Sequence, residues 1–498
     1  TPTGAPAARA APCLAALLVA AAGAWLAVVH NPLVVTLPGF QLSFGAVAGG
    51  LALGQPLWTR WQRRGCPRAL AVGTAFTLGA QLALLPLQAR YWGDVSWTAP
   101  LSNLLGVPLG ALVVGAGVLA GVAGWVWPAG GEAAGALAVL GARLLLGLGR
   151  FLGGPWSTWT LPPLHPGWVV PYCALLGIVA LGSRGLLRAA TARRLACACL
   201  IAGAAAAALQ AWWAGGLLEV TVLAVGAGDA VVLRMPGSFA ALVDAGGRAP
   251  DPGGFDAGRD VILPYLRRHG VGRLDLLVNT HPHADHLGGA VFLLRHLPVR
   301  TVLHGELPAA EAEGAAGAFA AAAGAAAGRV RAVVGQQILL DPRIALAVLH
   351  GPGPSPPVAA EAGPEGRAGG GVNDTSVVLH LAYGRVSFLL PGDLEVEGQR
   401  RLLARGVPAV DVLLFPHHGS RSALYPPLLD ALRPCLVIFS GGGRPGLPHP
   451  DVVAEVTRRG AAVLRTDRDG AITLLTRGDD LTVRTARSGR SWRPCGML

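Results

Sequence analysis

At 498 residues, with 52% hydrophobic and only 14% charged side chains and a mean hydropathy of +0.50, the chain is too apolar for an ordinary soluble globular protein, so part of it belongs in a membrane. The net charge of +12 does not by itself argue for nucleic-acid binding. Residues 1–214 hold 12 arginines against two acids, Asp94 and Glu132, whereas the remainder holds 28 arginines against 26 acids, the asymmetry expected of basic loops kept on the cytoplasmic side of a membrane.

In chain order, apolar segments long enough to approach a membrane crossing fall at 11–29, 41–57, 69–88, 100–127, 133–149, 167–182 and 194–214. Segments 41–57 and 133–149 are short or glycine-rich, and 100–127 contains Pro100 and Pro108, so broken or re-entrant helices are expected there. Gln41, Gln81 and Asn103 are polar positions suited to hydrogen bonds between helices. The arginine-rich stretches RWQRRGCPR (60–68) and RGLLRAATARR (184–194) should lie in the cytoplasm, so the helix at 194–214 delivers everything after it to the outer side. The chain starts at Thr without a signal peptide and is expected to continue a longer polypeptide. The seven cysteines imply no disulfide framework.

From about residue 217 the pattern changes to short β-type runs with turn residues between them: LEVTVLAV, AVVLRM, FAALVDAGG, LDLLVNT, TSVVLHLAYGRVSFLLPGD, VDVLLFPHHGS, CLVIFSGGG and AITLLT. Helical candidates, DVILPYLRRHG, GAVFLLRHL and the alanine-rich 308–328, alternate with them, which predicts a mixed α/β domain. The organisation is therefore a polytopic membrane domain at 1–214, an α/β domain at 217–485 with a Pro/Gly-rich loop at 351–371, and a basic solvated tail at 486–498.

The densest chemistry lies in NTHPHADHLGG, residues 279–289. On leaving a strand, His281 and His283 can reach one metal ion while Asp285 and His286 turn toward a second, a donor set suited to Zn, Mn or Fe. Later strand ends supply Asp393 from LLPGD, His417 and His418 from FPHHGS, and His449 from GLPHP. Each has a dull alternative as a turn aspartate or surface histidine, and their shared place after apolar strands is what groups them. Asp393 is the expected bridge, either His417 or His449 the last ligand, and His418 a support. Two adjacent cations would acidify a water and hold a phosphate-like transition state, with Asp285, Asp393 and His417 as the catalytic set. Asp244 at the end of FAALVDAGG braces the ligand loop or serves as a plain turn residue.

HxHxDH followed by GD and HHGS resembles the metallo-β-lactamase superfamily. Taken in order, VGAGDAVVL, LVDAGG, THPHADHLGG, NDTSVVLHLAYGRVSFLLPGD, FPHHGSRSA and HP, behind NPLVVTLPGFQLSFGAVAG and QLALLPLQARYWGDVSWTAPLSNLLGVPLGAL, resemble ComEC-type DNA internalisation proteins of natural competence. The resemblance implies an αββα sandwich at 217–485 with two divalent ions, Zn or Mn, at one edge. It further implies an inner-membrane pore for a single DNA strand, an extracytoplasmic nuclease that degrades the other strand, and partners in the competence machinery. Its ligands would be His281, His283, Asp285, His286, Asp393 and a later histidine. Asn373 stands where many superfamily members have a ligating histidine. Ala227 replaces a glutamine of the family, and His283 stands where many members have aspartate. An amino-terminal oligonucleotide-binding domain and further helices typical of the family are not in this sequence. Two other readings compete: a membrane-anchored hydrolase of a small ester or phosphodiester, and a channel whose second domain binds DNA without chemistry.

Overall fold

The computed structural model describes residues 6–161, 166–226, 228–235, 239–247, 254–306, 314–324, 328–352, 371–441, 445–489 and 491–492. The chain divides into two compact units, one running to Gln210 and including the turn Arg267–Gly270, the other comprising 211–266 and 271–498. Ala227 and most of the 351–371 loop lie outside the described residues.

The first unit is helical: α1 (Pro6–His30), α2 (Pro38–Gly49), α3 (Gln55–Arg63), α4 (Arg68–Tyr91), α5 (Ala99–Val126), α6 (Pro128–Leu152), α7 (Pro166–Ser183) and α8 (Ala189–Ala214). Among the described residues α4, α5, α6 and α8 are long and apolar enough to cross a membrane. The expected breaks at 100–127 and 133–149 do not occur: α5 runs on through Pro108 and α6 is continuous. Segment 41–57 is interrupted instead by a wider π turn, Gly50–Gly54, between α2 and α3. There Arg184 donates to the carbonyls of Ala52 (2.6 Å) and Leu51 (3.1 Å), which satisfies backbone groups that apolar surroundings would leave costly. The π turn packs on α4 through small residues. A Cβ on Gly49 would stand 2.6 Å from the Gly79 carbonyl and 2.3 Å from Ala83 Cβ. Gln41 accepts from Tyr91 at 2.9 Å, so one of the three polar positions does join helices; Gln81 donates to the Ser96 carbonyl. A two-strand ladder pairs β1 (Asp94–Ser96) with β2 (Thr158–Thr160).

The second unit is layered αββα. Its strands are β3 (Leu218–Val222), β4 (Val231–Met235), β5 (Phe239–Val243), β6 (Leu274–Asn279), β7 (Val299–His304), β8 (Gly328–Arg331), β9 (Gln337–Asp341), β10 (Ile344–His350), β11 (Val378–Tyr383), β12 (Val386–Leu390), β13 (Val412–Leu414), β14 (Leu436–Phe439), β15 (Ala462–Arg465), β16 (Ile472–Thr476), β17 (Leu481–Thr485) and β18 (Ser491–Trp492). They form one sheet in the order β18-β17-β16-β3-β4-β5-β6-β7-β8 and a second in the order β15-β14-β13-β12-β11-β10-β9. Residues of alternating parity divide between layers: Val231, Leu233 and Met235 join the core between the sheets, while Ala230 and Val232 meet the helices outside. This is why the strands read as continuous apolar runs. Helices α9 (Leu263–Arg268), α10 (Ala284–His296) and α11 (Gly314–Ala323) cover the first sheet. On the second sheet lie α12 (Val396–Ala404), α13 (Pro426–Leu432) and α14 (Pro450–Arg458).

Two expectations need correction. The segment after 486 is not simply a solvated tail, because Ser491–Trp492 adds an edge strand to β17 and Trp492 packs on the central core. Cys435 is disulfide-bonded, a bridge that the cysteine spacing did not imply.

Candidate metal centre

Parallel pairing decides where the polar residues meet. β5 and β6 run parallel in one sheet, and β12, β13 and β14 run parallel in the other, so the loops that follow them emerge on one side of each sheet. Those loops carry Asp244 after β5, Thr280 and His281 after β6, Asp393 after β12, His417 and His418 after β13 and Ser440 after β14. Asp229 comes from the turn before β4, which is antiparallel to both β3 and β5 and therefore begins on that same side.

Asp285, His286, Asp393 and His418 each offer a ligand atom within 4.8 Å of the others. His286 Nε2 lies 3.0 Å from Asp393 Oδ1, yet neither atom has a hydrogen-bond partner among the described residues, and neither does His418 Nε2. Leaving such atoms buried and unpaired costs about 1–3 kcal/mol each. Two imidazole nitrogens and carboxylate oxygens converging in this way form the donor set of a divalent cation, so the residues present fit a metal ion.

The supporting contacts fix each ligand. Asp244 accepts from the Thr280 amide at 2.8 Å and its hydroxyl at 2.7 Å, and its Oδ2 lies 2.8 Å from His286 Nδ1. That contact leaves Nε2 of His286 to face the cluster. Asp244 does so from a left-handed backbone, φ 55°. Asp229 plays the equivalent part for His418, 3.3 Å from its Nδ1, and also accepts from Ser440 Oγ. A second close group, Asp229, Asp244 and His286, joins the two supports to one of the inner histidines. Gly228, φ 109°, allows the approach: a Cβ there would fall 1.8 Å from the Asp285 carbonyl oxygen.

Charge follows the geometry. Burial pushes the His281 ring down to about 2, helped by His286 beside it, which keeps it neutral. For His286, burial opposes protonation, but Asp393 and Asp244 outweigh it and hold the ring well above the usual range. Burial likewise works against the Asp393 carboxylate, and His286, His418 and His281 together keep it well below the usual range.

The remaining residues named in the sequence fall as follows. His281 Nε2 stands 3.8 Å from Asp393 Oδ2 and 3.1 Å from His283 Nδ1; His281 is buried and His283 exposed. His417 Nε2 is 3.9 Å from Asp393 Oδ2, outside the close group. His418, expected as a support, stands inside that group. His449 caps α14, its Nδ1 accepting from the Asp451 amide at 3.2 Å. Asn373 donates to Glu395 Oε1 at 3.4 Å. Asp229, Ser440 and Glu395 carry site contacts that the sequence reading passed over, although Asp229 sits in the quoted VGAGDAVVL as the one acid of an apolar run.

Comparison with known proteins now adds identity. Residues 6–185 match the family described as Competence protein, and residues 223–439 match the Metallo-beta-lactamase superfamily. The chain joins a competence-family region to a metallo-beta-lactamase superfamily domain. Among curated relatives, ComE operon protein 3 of Bacillus subtilis (strain 168) is 27% identical over 89% of this chain and 56% of its own length. Competence protein ComA of Neisseria gonorrhoeae is 28% identical over 45% of this chain and 28% of its own length. The chain thus spans about half the length, or less, of these relatives. Among solved structures, the diiron β-hydroxylase CmlA from Streptomyces venezuelae shares 18% identity over 52% of this chain and 54% of its own, with a TM-score of 0.33. Zn(2+)-bound PqqB from Methylobacterium extorquens shares 17% over 49% and 86%, with a TM-score of 0.30. The chain carries four helices long and apolar enough to cross a membrane, and its second unit is a domain of a metal-dependent hydrolase superfamily with a buried metal-binding cluster.

Proposed function

We propose that the chain passes a single DNA strand through the inner membrane and that its metallo-domain, residues 217–485, degrades the strand left outside. The observation that carries this reading is the buried convergence of His286 Nε2, Asp393 Oδ1 and His418 Nε2, atoms without a hydrogen-bond partner among the described residues, within a chain that also carries the competence region at 6–185. The arginine-rich 60–68 and 184–194 favour a cytoplasmic face for those loops and an outer face for the domain. The disulfide at Cys435 suits an oxidising compartment. The membrane domain, 1–214, would form the pore, and other competence proteins would deliver the DNA.

In this reading Asp285, His286, Asp393 and His418 would hold one divalent ion, and His281 and His283 would help to hold a second, Zn or Mn. Such ions, when bound, acidify water and neutralise the charge that builds up on a phosphodiester under attack. The chain's own residues supply the order. Asp244 and Asp229 lock the two inner histidines, Asp393 reaches both histidine groups at 3.0 and 3.8 Å, and Asp285 orients the attacking water.

The full chain in lipid nanodiscs, supplied with Mn or Zn, should cleave end-labelled single-stranded DNA, and Asp285→Ala should abolish cleavage. Hydrolysis of small esters alone, or DNA binding without cleavage, would replace the nuclease reading. Elemental analysis of the same samples gives ion identity and number.

A further inference from the structure

The two consecutive histidines of FPHHGS face different surroundings. Both occupy the left-handed region, His417 at φ 51° and His418 at φ 56°, a conformation rare for residues with a Cβ. Their rings stand at 69° with centroids 6.2 Å apart. The His418 side chain is 1% exposed, among Asp229, Asp285 and Asp393. That of His417 is 20% exposed, and its Nδ1 lies 3.1 Å from Glu395 Oε1.

Glu395 Oε1 gathers a set of donors. Besides the His417 ring, Ser422 Oγ donates to it at 3.1 Å and Asn373 Nδ2 at 3.4 Å. Ser422 Oγ also lies 3.4 Å from His417 Nδ1, and the His417 amide donates to the Gly392 carbonyl at 3.2 Å. Loop backbone, serine, amide and carboxylate therefore fix the ring by its Nδ1 edge. Its Nε2 edge stands 3.9 Å from Asp393 Oδ2, beyond hydrogen-bond reach, beside the metal-binding group but outside it.

We infer that His418 ligates metal while His417 contacts the substrate's phosphodiester oxygens through Nε2, and that Glu395, braced by Ser422 and Asn373, is the positioning residue that holds His417 in that pose. A carboxylate that fixes one imidazole nitrogen sets which edge of the ring the other presents. Asn373 then supports Glu395 in place of a ligating histidine. The inference rests on the phosphodiesterase reading and deepens it.

Wild type, His417→Ala, Glu395→Gln and His418→Ala, each as the full chain in nanodiscs with Mn, separate the possibilities. Bound metal is measured by elemental analysis and steady-state rates on single-stranded DNA and on bis(p-nitrophenyl) phosphate. His418→Ala should lose about one equivalent of metal, while His417→Ala and Glu395→Gln keep the wild-type content. His417→Ala should lower kcat/KM about 100-fold. Glu395→Gln should lower kcat about 10-fold, with KM within about twofold and unchanged thermal unfolding, a split that mere loosening of the loop does not give. Metal loss in His417→Ala equal to that in His418→Ala makes His417 a ligand and overturns the inference. So does full activity of His417→Ala. A wild type inert on both substrates instead overturns the phosphodiesterase reading itself.

Discussion

Asp244 has both carboxylate oxygens occupied, one by the Thr280 amide and the other by the Thr280 hydroxyl and the His286 ring. Asp244→Asn keeps the volume and removes the charge that orients His286. Metal affinity should fall about 10- to 100-fold with the fold retained, read by chelator competition; unchanged affinity would reduce Asp244 to a turn residue. The ring of His418 supports a second prediction. Burial disfavours its charge, but Asp229, then Asp285 and Asp393, outweigh it and push its pKa up to about 10 in the metal-free protein. A raised folded-state value means the protonated ring stabilises the metal-free fold fully below the ordinary value of about 6.5. That contribution is lost as pH climbs through about 10. A metal ion needs the neutral ring and must displace this proton. Apparent affinity should therefore rise between these two pH values, and calorimetry in buffers of different ionisation enthalpy should register proton release near neutrality. Binding without release would contradict it.

Elements meet closely only where glycine permits. Gly228→Ala would drive a methyl group into the Asp285 carbonyl from a left-handed backbone. The expected result is a loss of about 1–3 kcal/mol together with weakened metal binding, measured by thermal unfolding and metal titration on one sample. In the membrane unit Gly49 and Gly110 form a controlled pair. Alanine is the better helix former by about 1 kcal/mol, and at Gly110 nothing lies within 4 Å of the added Cβ, so Gly110→Ala should be neutral or stabilising. At Gly49 the same atom collides with Gly79 and Ala83 on α4, and Gly49→Ala should lower the unfolding temperature in detergent. Equal behaviour of the two would deny the close packing of the end of α2 on α4. The π turn that follows also shows the limit of composition: a glycine-rich 41–57 signalled an irregular helix, but only packing on α4 and the Arg184 contacts decided that it widens rather than breaks.

At the scale of the molecule, ligands drawn from several strand ends make metal binding and folding of the second unit one equilibrium. Chelation should lower its unfolding temperature, and restoring metal at about 1,000 times its dissociation constant should return about 4 kcal/mol, as read by calorimetry with and without chelator. A transition insensitive to chelator would mean that the cluster does not bind metal in the folded chain. The sequence alone determined the apolar helices, the continuous apolar runs of strands buried on both faces, and the density of donors in NTHPHADHLGG, because periodicity and ligand spacing are local properties. Tertiary structure alone decided that His418 enters the close group while His417 turns to Glu395, that His449 caps a helix, and that Asp229 stands behind the ring of His418. Those assignments depend on which loop ends parallel pairing brings together and on the left-handed backbone at two successive residues, and neither is written in the order of the residues.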